Sequence, residues 1–102
     1  GKQGGIRKAK EIVDFAAAHG VACSIGSNLE LDVATAAMAH LVVACPNMQL
    51  EKYPGDMLGA DYHELRVAKE PLEIAGPITT LTTRPGLGVE VDWDLVKRCG
   101  PK

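Results

Sequence analysis

The sequence predicts an α/β fold built on parallel strands, and three observations in its first half predict it. "GKQGG" runs straight into a helical pattern, "AHG" breaks that pattern before the short apolar run "VACSIGS", and "DVATAAMAHLVVAC" gives way at a proline to "NMQLE". Glycine turn, helix, strand, loop, helix, strand is the order of a parallel array, because parallel neighbours need a helical crossover between them.

Each element follows from its residues. Ile6, Ala9, Val13 and Ala16 recur at three- and four-residue steps, and Ile12 widens the same apolar stripe. Arg7/Glu11 and Lys10/Asp14 are i,i+4 pairs on the remaining surface. His19 falls in the last turn, and Gly20 can take the left-handed conformation that closes a helix. With β-branched Val21 and Ile25, residues 21–26 read as a buried strand that opens into a polar loop at Gly26 and Ser27. The helix starting at Asp32 is apolar on nearly every side, which predicts all-round burial, and Pro46 stops it. Residues 48–50 form a second short strand closed by Glu51.

The character then changes. "KYPGDMLGADYHEL" is a loop with at most a short helical turn, and the stretch after it is rich in strand formers and turn residues. A small antiparallel section is expected there, with "AGP" and "RPGLG" as its turns. "VDWDLVKRC" reads as a closing helix with Asp92 as N-cap and Lys97 and Arg98 in the last turn.

At 102 residues, 46% hydrophobic and 24% charged, the chain has the balance of one soluble globular domain or part of one. Its net charge of −2 is spread along the chain and its aromatics are few, which argues against a nucleic-acid surface or a polybasic membrane anchor. The most apolar stretch, 33–45, is interrupted by Thr35 and His40 and is too short to span a bilayer; with no signal-peptide pattern in view, a cytoplasmic location is expected. Cys23, Cys45 and Cys99 lack the spacing of a disulfide framework or a zinc site. Neither His19, His40 nor His63 has a partner at metal-ligand spacing, and Ser24 and Ser27 lie outside any G-x-S-x-G elbow.

In parallel arrays the loops at the C-terminal strand ends carry the chemistry, which singles out 1–5, 26–32 and 51–56. "GKQGG" could present backbone N–H groups to an anion with Lys2 adding charge, but it lacks the spacing of a phosphate or dinucleotide loop, and a plain βα turn also explains it. Glu30, Asp32, Glu51 and Asp56 could meet as acid/base or ligand groups. Asp32 has an alternative reading as a helix cap or first-turn acid, whereas Glu51, closing a strand, has fewer structural reasons to be acidic.

The ordered series K-x-G-G, A-x-x-H-G, G-S-x-x-E, A-x-x-H-L and the late P-G-L-G resembles the C-terminal part of the enolase superfamily, closest to its muconate cycloisomerase and dipeptide epimerase-like branch. The resemblance implies the last two to three βα units of a modified (β/α) TIM barrel, over 1–64, and an antiparallel tail with a closing helix that returns to a capping domain, over 65–102. The opening glycines would then follow the sixth barrel strand, with residues 21–26 as the seventh and 48–50 as the eighth. It further implies Mg²⁺ held by carboxylates on upstream strands, with no metal ligand here, and removal of a proton α to a carboxylate by lysine bases that also lie upstream. Lys2 is not one of them. "GSN" stands where a sister branch carries a histidine base, which favours the lysine-based branch.

Carried over residue by residue, Glu51 matches the acidic eighth-strand position beside the substrate carboxylate or enolate oxygen. Ser27, Asn28 and Glu30 match the seventh-strand loop, and Tyr53 and Asp56 would line the mouth. "YPGD" departs from the paired aspartates of dipeptide epimerases. The implied partners are a small carboxylate substrate, the upstream part of the protein or a complementary chain, and further copies in a homo-oligomer. By itself the chain would be inactive. A non-catalytic assembly or binding module derived from a partial barrel is the alternative expectation.

Overall fold

The computed structural model describes residues 1–100; the last two positions of the tail expected over 65–102 lie outside the described residues. In chain order it contains α1 (Ile6–Ala18), α2 (Asp32–Ala44), a 3-10 turn (Gly59–Tyr62), β1 (Glu73–Ala75), β2 (Ile78–Thr80) and α3 (Trp93–Cys99).

The opening glycines are required by geometry. Gly4 and Gly5 have φ of +81° and +107°, where L side chains are strained, and they turn the chain into α1. At its far end the His19 ring bonds the Phe15 carbonyl through Nδ1 at 2.8 Å, and Gly20 takes a left-handed φ of +68°. Lys10 and Asp14 pair at 2.6 Å as expected, but Glu11 faces Lys8 at 3.5 Å instead of Arg7.

α1 and α2 pack together over a small core of Val13, Leu41, Cys45 and Met48, with Ala9, Cys23, Ile25 and Val42 against it. Asn47 ties this unit internally, its Nδ2 donating to the Val13 and Val21 carbonyls at 3.3 and 2.9 Å.

Three expectations are corrected here. The two strands at 21–26 and 48–50 reduce to one parallel bridge, Cys23 with Met48, made by Cys23 N–H to Asn47 O and Gln49 N–H to Cys23 O, both 3.0 Å. A buried parallel ladder has neighbours on both sides, and among the described residues each segment pairs only with the other. The α1 stripe is buried only at Val13, with Ile6 and Ile12 exposed. Around α2, Thr35, Ala36, Ala39 and Leu41 are buried while Val33 and Val43 are exposed, because α1 and the 3-10 turn cover only part of its circumference.

The tail keeps its expected plan. β1 and β2 are antiparallel in the register Ala75 to Ile78, so Gly76 and Pro77 form the hairpin loop. A further antiparallel bridge joins Ala68 to Val91, and Lys69–Glu90 and Arg84–Glu70 ion pairs flank it. Asp92 caps α3 by accepting from the Leu95 amide at 2.9 Å, and Lys97 and Arg98 lie in its last turn.

Candidate functional site

The 26–30 loop leaves the first segment of the parallel pair and enters α2, and it folds around the Glu30 carboxylate. That group accepts from the Ser27 hydroxyl at 2.8 Å, the Asn28 amide at 2.8 Å and Asn28 Nδ2 at 3.4 Å. Partial burial by itself would raise the Glu30 pKa, but the hydrogen bonds from Ser27, the residue's own amide and Asn28 together outweigh it and hold the group below its ordinary value. Glu30 therefore organises the loop, and the outward polar groups belong to Asn28.

Leu29 sits at the apex with φ +62°, a left-handed conformation that costs a leucine about 1 to 2 kcal/mol. Its amide donates to Ser27 Oγ at 2.8 Å, and its carbonyl accepts from His63 Nε2 at 2.7 Å. A carbonyl can only accept, so Nε2 carries the proton in this contact. Below the bend, Thr35 Oγ1 donates to the Glu30 carbonyl at 3.2 Å. Gly59 presses so close that a Cβ there would lie 2.6 Å from the Glu30 nitrogen and 2.8 Å from Ser27 Oγ.

Asp32 belongs to this bracing and not to a cluster of reacting carboxylates. Fully buried at the start of α2, it takes Arg66 Nη2 and Nε on Oδ1 at 2.6 and 2.9 Å and the Val67 amide on Oδ2 at 3.0 Å. Arg66 also reaches Asp61 Oδ1 at 2.9 Å and the Leu72 carbonyl at 3.2 Å.

The 51–56 loop approaches the same end of the parallel pair. Ser24 Oγ donates to the Tyr53 carbonyl and the Asp56 amide to the Ile25 carbonyl, both at 2.8 Å. Asp56 Oδ1 accepts from the Leu58 amide at 3.0 Å, and Lys52 Nζ lies 5.1 Å from the Tyr53 ring centroid. Glu51 is exposed, and among the described residues its side chain has no hydrogen-bond or ion-pair partner.

A cavity of about 380 Å³ opens between the glycine turn, the 26–30 loop and the facing sides of α1 and α2, with Lys2, Gln3, Ser27, Asn28 and Glu30 as its polar lining. Ser27, Asn28 and Glu30 are thus brought together, while Glu51, Tyr53 and Asp56 stand on the adjacent loop outside that cavity. Among the described residues no three His, Cys, Asp or Glu side chains converge as a metal site, and no helix is long and apolar enough to cross a membrane. Sequence reasoning missed Gly59, His63 and Arg66 as supports of the first loop. No local signal marks them, since His63 and Arg66 act on residues 34 positions away.

Known proteins align with this arrangement over almost its whole length. Muconate cycloisomerase 1 of Rhodococcus opacus is 33% identical over 96 residues, which are 94% of this chain and 25% of that protein. N-succinylamino acid racemase of an Amycolatopsis species is 34% identical over 89 residues, 87% of this chain and 23% of the racemase. The crystal structure of muconate lactonizing enzyme from Klebsiella pneumoniae superimposes with a TM-score of 0.89 at 29% identity, over 99% of this chain and 27% of that one. The chain spans about a quarter of the length of these relatives. The enolase C-terminal domain-like family matches residues 1–95, and the chain belongs to that family.

Proposed function

We propose that this chain is the C-terminal portion of a Mg²⁺-dependent enolase-superfamily enzyme that removes the proton α to a carboxylate, in a racemisation, epimerisation, cycloisomerisation or dehydration. The observation that carries this reading is the meeting of the 26–30 and 51–56 loops at one end of the parallel pair, in a chain superimposable on a muconate lactonizing enzyme. On this reading 1–64 forms the last βα units of a modified barrel and 65–102 returns to a cap. Substrate, upstream portion and further copies are its partners.

The roles follow from what each group has left to offer. Among the described residues Glu51 has no competing partner, so its carboxyl is available to the reacting group, as a donor to an enolate oxygen when protonated or as an acceptor from a lysine or substrate ammonium when ionised. Asn28, Tyr53 and Asp56 bind and orient the substrate, and Ser27 and Glu30 set the shape of the first of these loops. A divalent ion supplies electrostatic stabilisation of the enolate in such chemistry. Among the described residues the carboxylates do not converge into a ligand set for it, and on this reading its ligands belong to the upstream portion.

The test uses the full-length protein that carries this chain, with and without Mg²⁺. Two probes report turnover: α-proton exchange of N-succinyl-phenylalanine in D2O, and consumption of cis,cis-muconate followed by its ultraviolet absorption. Mg²⁺-dependent turnover that falls about 100-fold in kcat on Glu51→Gln is expected. Absence of turnover on both probes and on a wider panel of carboxylates would overturn the reading. The exposed Ile12, Phe15, Val21 and Val43 favour a second one, an assembly module, which predicts self-association without turnover.

A further inference from the structure

We infer that residues 59–66 form a brace that holds the 26–30 loop in its left-handed bend, and that His63 is the positioning residue through which Asn28 is kept in place for a bound carboxylate. The ligand class rests on the proposed function; the brace does not. Leucine at φ +62° is not a conformation the chain adopts unaided, and Leu29 is 52% exposed, so burial of its side chain does not hold it there. What remains is the set of polar ties on the bend.

Those ties come from two directions. From within the loop, Ser27 Oγ takes the Leu29 amide while its own proton goes to Glu30, whose carboxylate also takes the Asn28 amide. From 34 residues away, His63 Nε2 reaches the Leu29 carbonyl at 2.7 Å, and the Gly59 backbone closes on Ser27 and Glu30 from beneath. Arg66, spanning Asp61 and Asp32, fixes the brace to the first turn of α2 just beyond the loop. Two side chains hold the loop backbone from outside, the buried Thr35 on the Glu30 carbonyl and the partly exposed His63 on the Leu29 carbonyl, and of these His63 can be changed without emptying a buried site. With Ser27 and the Leu29 backbone thus engaged, Asn28, whose Nδ2 gives one hydrogen to Glu30, keeps the second to donate to a carboxylate.

The test compares His63→Ala with His63→Gln in the full-length protein, because a glutamine amide nitrogen can occupy the place of Nε2 and donate to the same carbonyl. Amide hydrogen exchange over 27–31, thermal unfolding, and kcat and KM for the two probes named above are the readouts. His63→Ala is expected to speed exchange over 27–31 about tenfold and to raise KM about tenfold with kcat within about twofold. His63→Gln is expected to restore both. Gly59→Ala, which crowds the same backbone from the other side, is expected to reproduce the exchange effect should His63→Ala unfold the whole protein. Unchanged exchange and KM in His63→Ala, or no rescue by His63→Gln, would overturn the inference. Faster loop exchange in a protein that turns over neither the two probes nor the wider panel of carboxylates would uphold the brace and overturn the proposed function.

Discussion

In the 26–30 loop the Glu30 carboxylate, the Ser27 hydroxyl and both backbone groups of Leu29 have partners within the chain, whereas in the 51–56 loop, among the described residues, the Glu51 side chain has none and the Lys52 ammonium meets only the face of Tyr53. Both loops reach the same end of the parallel pair, joined there by the Ser24–Tyr53 and Asp56–Ile25 hydrogen bonds. The difference separates two ways of building a site. A loop tied on several sides is preorganised and loses little entropy when a ligand arrives, while a loop with free side chains keeps them for the reacting groups.

The contrast breaks most severely at Arg66. Replacing it with leucine leaves Asp32, with no exposed surface, as an uncompensated buried charge. We expect a loss of about 3 kcal/mol, at the lower end for a broken buried pair because Arg66 is partly exposed, measured by urea denaturation. Arg66→Lys should recover only part of this, since an ammonium cannot span Asp32 and Asp61 as the guanidinium fork does.

Gly59→Ala should come next, at about 2 kcal/mol by the cost of overpacking. Its new Cβ meets the backbone of Glu30, which cannot give way as a flexible side chain would, so the 26–30 loop should loosen while 51–56 does not. Amide exchange resolved by segment would show this.

Glu30→Gln sharpens the comparison through pH. Burial works against the charged form, but the Ser27 and Asn28 hydrogen bonds prevail and hold the Glu30 pKa below its ordinary 4.5. The stabilisation from the carboxylate is therefore present above the unfolded pKa and lost as pH falls through the lowered folded one. The stability gap between wild type and Glu30→Gln should be level above about pH 5 and shrink below it. A gap that stays constant on acidification would show that the charge does not organise the loop.

The smallest effect on stability belongs to Glu51→Gln, expected within about 0.5 kcal/mol of wild type in the same denaturation assay, as for an exposed side chain with no partner among the described residues. A large loss there would place Glu51 among the structural residues and erase the distinction between the loops.

Much of this organisation was legible in the sequence. The resemblance carried by K-x-G-G, G-S-x-x-E and P-G-L-G pointed to the family that residues 1–95 match. Position alone suggested that 26–32 and 51–56 lie at strand ends, and the two loops do approach one another. The same reasoning preferred Glu51 to Asp32, which it could also read as a helix cap or first-turn acid, but it could not name what holds each acid, because those partners lie elsewhere in the fold. Asp32 proved to be held by Arg66, Glu30 by its own loop, and Glu51 by nothing among the described residues.

By itself the sequence determined the elements whose causes lie within a few residues. The glycine turn into α1, the stop of α2 before Pro46, the Gly76–Pro77 hairpin and the Asp92 cap of α3 all depend on neighbours no more than four positions away. Tertiary structure decided the rest: the single parallel bridge where two strands were expected, the exposure of Ile6, Ile12 and Val43, and the brace from His63 and Arg66 onto Leu29 and Asp32. These depend on which distant residues meet, and a contact across 34 positions leaves no periodicity in the chain because its energy is realised only once the intervening loop has closed.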